Sequence, residues 1–458
     1  MGTRLEKKWG FFMALAMVMG TVIGSGIFFK AVKVLKETNG NMKNALVVIA
    51  IVGAITIICS TVFAEMGRKY SNCNGLIDYA EATCGKKYAY FTGWFMAIIY
   101  YPVMASTICY VAANYFCLML GLPSHGQATS GVSILFLMLL IMMNVFAPKL
   151  SGKFQTSTLV IKLIPIILMG VVGTVVGIVN GNGITIFNEV QRSVNTSNTS
   201  GLFGGVCAFI FAYEGWISST TINSELKNPK RDLPLALIVG TISCTVLYML
   251  YVYSMSATLT SAEIMAAGDS LPQIAFSNVF GNIAGNIILG FIVVSCLGAS
   301  NGVVLCSMRG LYSLAIRGQG PKPDKIAEVD ETTGMPLISS VVGIAALLFW
   351  MFQISTLFFH GSLALNDIGS PEWLLAWEAD EICIITLYAV YIPIYLQIIF
   401  KEKGFNPLFR FVLPPLALIA SVFMCYCAYS SYGIQTLYYI VFFVIVMGSG
   451  MKFYKKQQ

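Results

Sequence analysis

The groups best placed for chemistry in this chain are backbone groups. The stretch "GTVIGSGIFF" (20–29) sets Gly20, Gly24 and Gly26 inside an apolar run that should otherwise be a plain helix. Backbone that leaves helical geometry at membrane depth persists only where it faces protein or a watery cavity. Past such a break, the amides of the second half-helix can hold a negative group. The carbonyls ending the first half can hold a positive one. A zwitterion carries one of each. Close helix packing through small residues is the competing explanation for these glycines. A second interruption tips the balance: "GLFGGVCAFIFAYEGWISSTT" (201–221) carries Gly204, Gly205 and Gly215, with a carboxylate, Glu214, beside the last.

Two charged side chains lie deep within apolar runs, Glu214 and Lys162. Lys162 falls about 13 Å into its run at 1.5 Å per residue, too deep for a lysine that merely snorkels to a helix end. A lysine there costs about 2.5–3.5 kcal/mol on insertion scales, which argues for a role. Glu214 has two readings. It can cap free amides at the start of a half-helix, or it can face a pocket and favour a second positive charge on a ligand. His125 and His360 are the only histidines, both at outer ends. Metal catalysis and a Ser-His-Asp arrangement are therefore not expected, and we expect no metal and no cofactor. A membrane-embedded enzyme would need a catalytic pair at one depth. A channel would need a filter repeated about an axis. A single pair of broken helices is a transporter feature.

These groups must be positioned by membrane helices. The chain has 458 residues, 57% hydrophobic and 11% charged, against about 25% charged in soluble proteins. Twelve apolar runs are long enough to cross a bilayer: 11–29, 42–64, 92–119, 131–147, 157–179, 202–222, 234–256, 283–307, 336–358, 382–400, 411–429 and 435–451. No gap between them could hold a folded soluble domain. The first run is long and lacks a small-residue cleavage site, so it stays as a span. With the N-terminus inside, 22 of the 28 Lys and Arg fall on inner segments and five (Lys30, Lys33, Lys36, Lys43, Arg192) on outer ones. Both termini are therefore expected to be cytoplasmic. The net charge of +7 is this topology signal and calls for no nucleic-acid partner.

The twelve cysteines avoid the outer loops and read as packing residues. Cys73 and Cys84 share an inner loop with no second pair for zinc. Asn195 and Asn198 form formal glycosylation sequons in an outer loop. Glu65 and Arg68, one turn apart, read as a structural pair. Glu378, Asp380 and Glu381 read as a solvated helix end that could also draw cations inward.

The breaks lie in runs 1 and 6, and an odd offset of five means opposite orientation in the membrane. That is the requirement of an inverted five-plus-five repeat. The motifs then converge. "GTVIGSGIF" in run 1, "FAEMGRKY" after run 2 and "KLIPI" (162–166) in run 5 are joined by "FAYEGW" with "SELKNPKRDLP" (224–234), and by "LGASNG" (297–302) with Arg309. In this order and spacing the chain resembles the amino acid–polyamine–organocation superfamily, and within it the L-type amino acid transporter family. The resemblance runs from residue 9 to about 320 and weakens beyond.

The resemblance implies an all-α membrane protein forming a single transporter domain, 1–458. Spans 1–5 (11–179) would form the first repeat and spans 6–10 (202–400) the inverted second, with spans 11 and 12 (411–451) outside it. It implies a secondary transporter of L-α-amino acids in the plasma membrane. Neutral substrates such as alanine, serine or cysteine are expected, by sodium-independent exchange. A cationic amino acid or polyamine transporter or exchanger, with or without coupling to protons, is the alternative. The paired breaks assign the substrate carboxylate to the amides around Gly24, Ser25, Gly26 and Ile27. They assign its amino group to carbonyls near Ile23, Phe211, Ala212 and Glu214. By resemblance, Phe211 is an outer lid and Lys162 sits where sodium-coupled relatives hold the ion, tying spans 1, 5 and 8 together with Ser295 or Ser300. Glu225, clustered with Lys227, Lys230 and Arg231, is a candidate inner gate. Two departures stand out: "NGLIDYA" replaces the family's double glycine and Tyr-x-Tyr, and the acidic trio stands where the family is usually apolar. The outer loop "GLPSHGQATSG" lacks the cysteine that animal members use to bind a heavy chain, so no heavy-chain partner is expected.

Overall fold

The computed structural model describes residues 9–70, 73, 75–181, 199–362 and 377–454. Arg4, Lys7, Lys8, Arg192, the sequons at Asn195 and Asn198, the side chain of His360, and Lys455 and Lys456 lie outside the described residues. Among the described residues every long element is a helix. The first run is split into α1 (Phe11–Val22) and α2 (Gly26–Glu37). There follow α3 (Met42–Lys69), α4 (Leu76–Cys84), α5 (Lys86–Met119), α6 (Gln127–Phe146) and α7 (Pro148–Val179). Then come α8 (Thr199–Ile210), α9 (Pro229–Ser256), α10 (Asn282–Ala315) and α11 (Leu337–Ser362). The last are α12 (Ala379–Phe400), α13 (Pro407–Tyr432) and α14 (Ile434–Met451). Among the described residues, 11 helices are long and apolar enough to cross a membrane, and α1 with α2, bent by 47° at their junction, makes 12.

Where hydropathy ended a span at a lysine, the helix often runs on. Run 1 reaches Glu37, eight residues past its expected end at 29. Lys30, Lys33 and Lys36 thus lie on a helix and not in a connecting segment. Lys30 is only 2% exposed, beside buried Phe28, Ala31, Val34 and Leu35. Hydropathy sums cannot see a lysine whose stem and charge are packed among rings.

The second broken span has a local cause in its hydroxyls. After α8 the chain forms a single 3₁₀ turn, Phe211–Tyr213, and then a ten-residue 3₁₀ helix, Trp216–Glu225. Such length is unusual for this poorly bonded helix type. The run "SSTT" supports it. Ser219, Thr220 and Thr221 each donate to the carbonyl three residues back, at 2.6, 2.6 and 2.7 Å. Between the two pieces Gly215 adopts φ 110°, a left-handed conformation that glycine alone takes without strain.

The contacts divide the chain into two compact units. The first comprises Met1–Ala89, Ile166–Leu271 and Ile384–Ser431. It contains both broken spans. Here α1 and α3 pack closely on α9: a Cβ at Gly240 would lie 2.6 Å from Val18, and one at Gly53 2.6 Å from Thr245. The second comprises Tyr90–Pro165, Pro272–Cys383 and Tyr432–Gln458. Its apolar core includes Tyr110, Leu137, Leu140, Val304, Met308, Leu347 and Met351. One buried polar cluster in it is mutually satisfied: Asn144 donates to Asn301 at 2.9 Å, Ser151 to Asn144 at 2.8 Å, and Asn301 to Ser151 at 2.9 Å. Leaving one such group without a partner would cost about 1–3 kcal/mol.

Candidate functional site

In the first unit the two breaks face each other. A Cβ at Gly26 would lie 2.8 Å from the Cα of Ala212 and 3.1 Å from the Phe211 ring. A Cβ at Gly215 would lie 2.7 Å from the Thr21 carbonyl oxygen. Each break therefore supplies a glycine that lets the other's backbone approach. Gly24 is different, since a Cβ there would meet nothing nearer than 3.9 Å. Close packing accounts for Gly26 and Gly215 and leaves Gly24 unexplained.

The backbone between α1 and α2 has the exposed groups that zwitterion recognition needs. Ile23 still donates to Met19 and Gly24 donates to Val22. Gly26 and Ile27 open α2, so their amides have no acceptor within the helix. On the facing break, Phe211 accepts from the Glu214 amide at 3.2 Å. Ala212 accepts from the hydroxyl of Tyr248, which also stands 2.8 Å from the carbonyl oxygen of Val22. A single hydroxyl of α9 thus serves a carbonyl of each break; the Val22 oxygen also accepts from the Gly24 amide, whereas the Ala212 oxygen keeps a second lone pair. Tyr248 escaped sequence reading, because its partners lie 226 and 36 residues away.

Phe211 is 4% exposed and meets Phe29 edge-on, with centroids 5.1 Å apart. The Lys30 ammonium lies 5.0 Å from the Phe211 centroid and 5.2 Å from that of Phe29. Glu214 is 6% exposed on extended backbone (φ −69°, ψ 151°), immediately before Gly215. Trp216 and Tyr213 are fully buried among aromatic neighbours, Trp216 against Phe63 and Tyr391 and Tyr213 against Tyr248.

At the C-terminal end of the second broken span, Glu225 is held by the N-terminal segment. The Trp9 indole donates to its carboxylate at 3.1 Å. The Trp9 amide donates to its carbonyl at 3.2 Å, and the Lys227 amide returns a bond to Trp9 at 2.8 Å. Trp9 and Leu226 form a parallel bridge. A lone tryptophan before the first span carried no signal of this partner. Glu65 and Arg68 do pair, at 3.2 Å on the surface. Lys69 and Tyr70 both donate to Glu402, a link between α3 and the segment after α12.

The second unit holds the other expected site residues. Lys162 is 6% exposed on α7. Along α7 and α10 the contacts run antiparallel: Gln155 lies against Gly302, and Thr158 against Gly298, where a Cβ would meet its hydroxyl at 2.1 Å. One turn further on, Lys162 is in register with Ser295, which is fully buried. Ser300 is otherwise engaged, donating to Ala105 at 3.0 Å and lying 3.0 Å from the Cys109 sulfur. The acidic trio departs from expectation. Asp380 and Glu381 are 4% and 0% exposed, so this helix start is not solvated. The helix N-terminus favours their charge, and Tyr432 donates to Glu381. The twelve cysteines are free. Cys73 donates to the Asp78 carbonyl, and burial pushes its thiol up to about 11.

A profile described as amino acid permease matches residues 10–450. The chain is 31% identical over 431 residues to the serine/threonine exchanger SteT of Bacillus subtilis, covering 92% of this chain and 90% of that protein. It is 25% identical over 457 residues to the human b(0,+)-type amino acid transporter 1, covering 99% and 88%. Among solved structures it is similar to MhsT in complex with L-phenylalanine, with a TM-score of 0.58 over 94% of this chain and all of that one. At 16% identity this likeness concerns the fold.

Proposed function

The chain belongs to the amino acid permease family, and from that premise we propose that this multi-pass membrane transporter exchanges small neutral L-amino acids, such as serine, alanine and cysteine, without sodium. The carrying observation is the pair of facing breaks. They offer free amides at Gly26 and Ile27, opposite carbonyls at Phe211 and Ala212, around the open position of Gly24. Such a site recognises the α-carboxylate and α-amino groups common to all amino acids. The similarity to a serine/threonine exchanger supports small polar substrates. Lys162 supplies a fixed charge in the role of a sodium ion. The remaining parts of this reading are an inverted repeat, cytoplasmic termini, residence in the plasma membrane and work without a heavy chain. A second reading, transport of cationic amino acids, is favoured by Glu214, a buried carboxylate beside the second break.

The test is uptake of labelled serine into proteoliposomes, with and without internal serine, in sodium or in choline. Uptake should depend on internal substrate and be equal in the two salts. Lys162→Ala should lower turnover more than it lowers the yield of folded protein. A sodium requirement, or uptake indifferent to internal substrate, would refute sodium-independent exchange.

A further inference from the structure

Asn223 lies in the 3₁₀ helix that completes the second broken span, and it is fully buried. Its Nδ2 donates to the carbonyl oxygen of Gly67 at 3.2 Å and to those of Tyr70 and Cys73 at 3.4 Å each. Three acceptors can be met only by the nitrogen of the amide, which fixes its orientation. Gly67 belongs to the last turn of α3, where a carbonyl finds no donor inside the helix. Asn223 thus caps α3 from a segment 156 residues away. Gly67 makes room for this closure: a Cβ there would lie 2.8 Å from Leu233 of α9 and 3.0 Å from the hydroxyl oxygen of Tyr79 on α4. The stretches "FAEMGRKY" and "NGLIDYA", which the backbone site leaves unused, therefore meet beside Asn223.

The other end of the same 3₁₀ helix is the break. Trp216 packs on Phe63 of α3 with ring centroids 5.5 Å apart. Gly215, just before it, meets the first break, where a Cβ would lie 2.7 Å from the Thr21 carbonyl oxygen. Phe211 and Ala212 stand a few residues further back along the same backbone. A 3₁₀ helix rises about 2.0 Å per residue against about 1.5 Å in an α-helix, and its bonds are poorer. A run of ten residues keeps this stretched form only while both ends are held. Released at Asn223 and relaxed to α geometry, the rise from Trp216 to Asn223 would shorten by about 3.5 Å. The close approach of Gly215 to Thr21 would not survive such a shift, and the second break would move against the first. We propose that Asn223 is a positioning residue: by holding the far end of the 3₁₀ helix on α3, it keeps the carbonyls of Phe211 and Ala212 where a substrate amino group is bound. The proposal rests on the two-break site of the reading above.

The test compares Asn223→Leu, which fills a similar space without a donor, with Asn223→Gln, which keeps the donating amide on a longer stem. In proteoliposomes loaded with serine, one measures the concentrations of alanine, N-methylalanine and alaninamide that halve the uptake of labelled serine. Methylation alters the amino group and amidation the carboxylate, so each analogue reads one break. Misplaced carbonyls forfeit the bond that a primary ammonium makes and a methylated one lacks. In Asn223→Leu the ratio of N-methylalanine to alanine should fall by about tenfold, while that of alaninamide to alanine stays within about twofold. Asn223→Gln should keep both ratios within about threefold. These ratios do not depend on the amount of folded protein, so a merely structural role would leave them unmoved. An unchanged N-methylalanine ratio in Asn223→Leu, an equal fall in both ratios, or an equal fall in Asn223→Gln overturns the proposal. Should Asn223→Leu give no transport, Asn223→Ala is read by the same criterion. Gly26→Val is the control for the site itself. Serine exchange absent from the wild type, or intact in Gly26→Val, removes the two-break site and the proposal together. Exchange lost in Gly26→Val with unchanged ratios in Asn223→Leu removes the role of Asn223 alone.

Discussion

Gly26 and Ala212, 186 residues apart, lie so close that a Cβ on Gly26 would stand 2.8 Å from the Ala212 Cα. That separation is shorter than any ordinary carbon–carbon contact, and the obstacle is backbone rather than a movable side-chain tip. Gly26→Ala should therefore displace one break from the other, and Gly26→Val should abolish serine exchange. The variants should still reach the membrane, because the helices on either side are unchanged. Exchange at wild-type rate by Gly26→Val, at equal amounts of purified protein, would show that the breaks do not form the site.

Tyr248 links the same two breaks by a different means. Its hydroxyl stands 2.8 Å from the carbonyl oxygens of both Val22 and Ala212. Tyr248→Phe keeps the ring, which packs against Phe209 and Tyr213, and removes only the donor. Two buried carbonyls then share no hydroxyl, a loss of about 1–3 kcal/mol. Thermal unfolding in detergent should register the loss, and the KM for serine should rise as the carbonyl facing the substrate amino group loses its orientation. Unchanged unfolding and unchanged KM would mean that the hydroxyl holds neither break.

Much of this arrangement was legible because lipid is a strict solvent. Apolar runs long enough to cross a bilayer, and glycine breaks in two of them, each follow from what a bilayer forbids. Gly26 and Ala212 were legible as members of one site, but their close approach was not, since it is a property of two segments. Tyr248 reads in sequence as one more aromatic residue in an apolar run. Lys30 was placed beyond the end of the first run because hydropathy counts its charge and cannot register the rings beneath it. The acidic trio was assigned to solvent for the same reason: nothing in "WEADEI" records that Asp380 and Glu381 are enclosed.

Trp9 and Glu225 should be energetically coupled. The indole donates to the carboxylate at 3.1 Å, and backbone bonds flank the pair. Trp9→Phe and Glu225→Ala each remove one side of the contact. Measured by thermal unfolding, the double variant should be less destabilised than the sum of the two, with a coupling of about 0.5–3 kcal/mol. Hydrogen exchange at Trp216–Glu225 should also quicken in Trp9→Phe, because the 3₁₀ helix loses its tether. Additive effects together with unchanged exchange would leave the N-terminal segment without a hold on the second broken span.

The role of Glu214 separates the neutral-substrate reading from the cationic one. Its carboxylate is buried just ahead of the 3₁₀ helix that begins at Trp216, where a negative charge meets the positive end of the helix dipole. As a helix-end charge it would contribute about 0.3–1 kcal/mol of stability and leave selectivity untouched. As a pocket group it would attract the second positive charge of lysine, arginine or ornithine. The measurement is competition of labelled alanine uptake by excess arginine, in wild type and in Glu214→Gln. We expect weak competition in both, with Glu214→Gln modestly less stable. Strong inhibition by arginine in the wild type that disappears in Glu214→Gln would place the carboxylate in the pocket and make cationic amino acids the substrates.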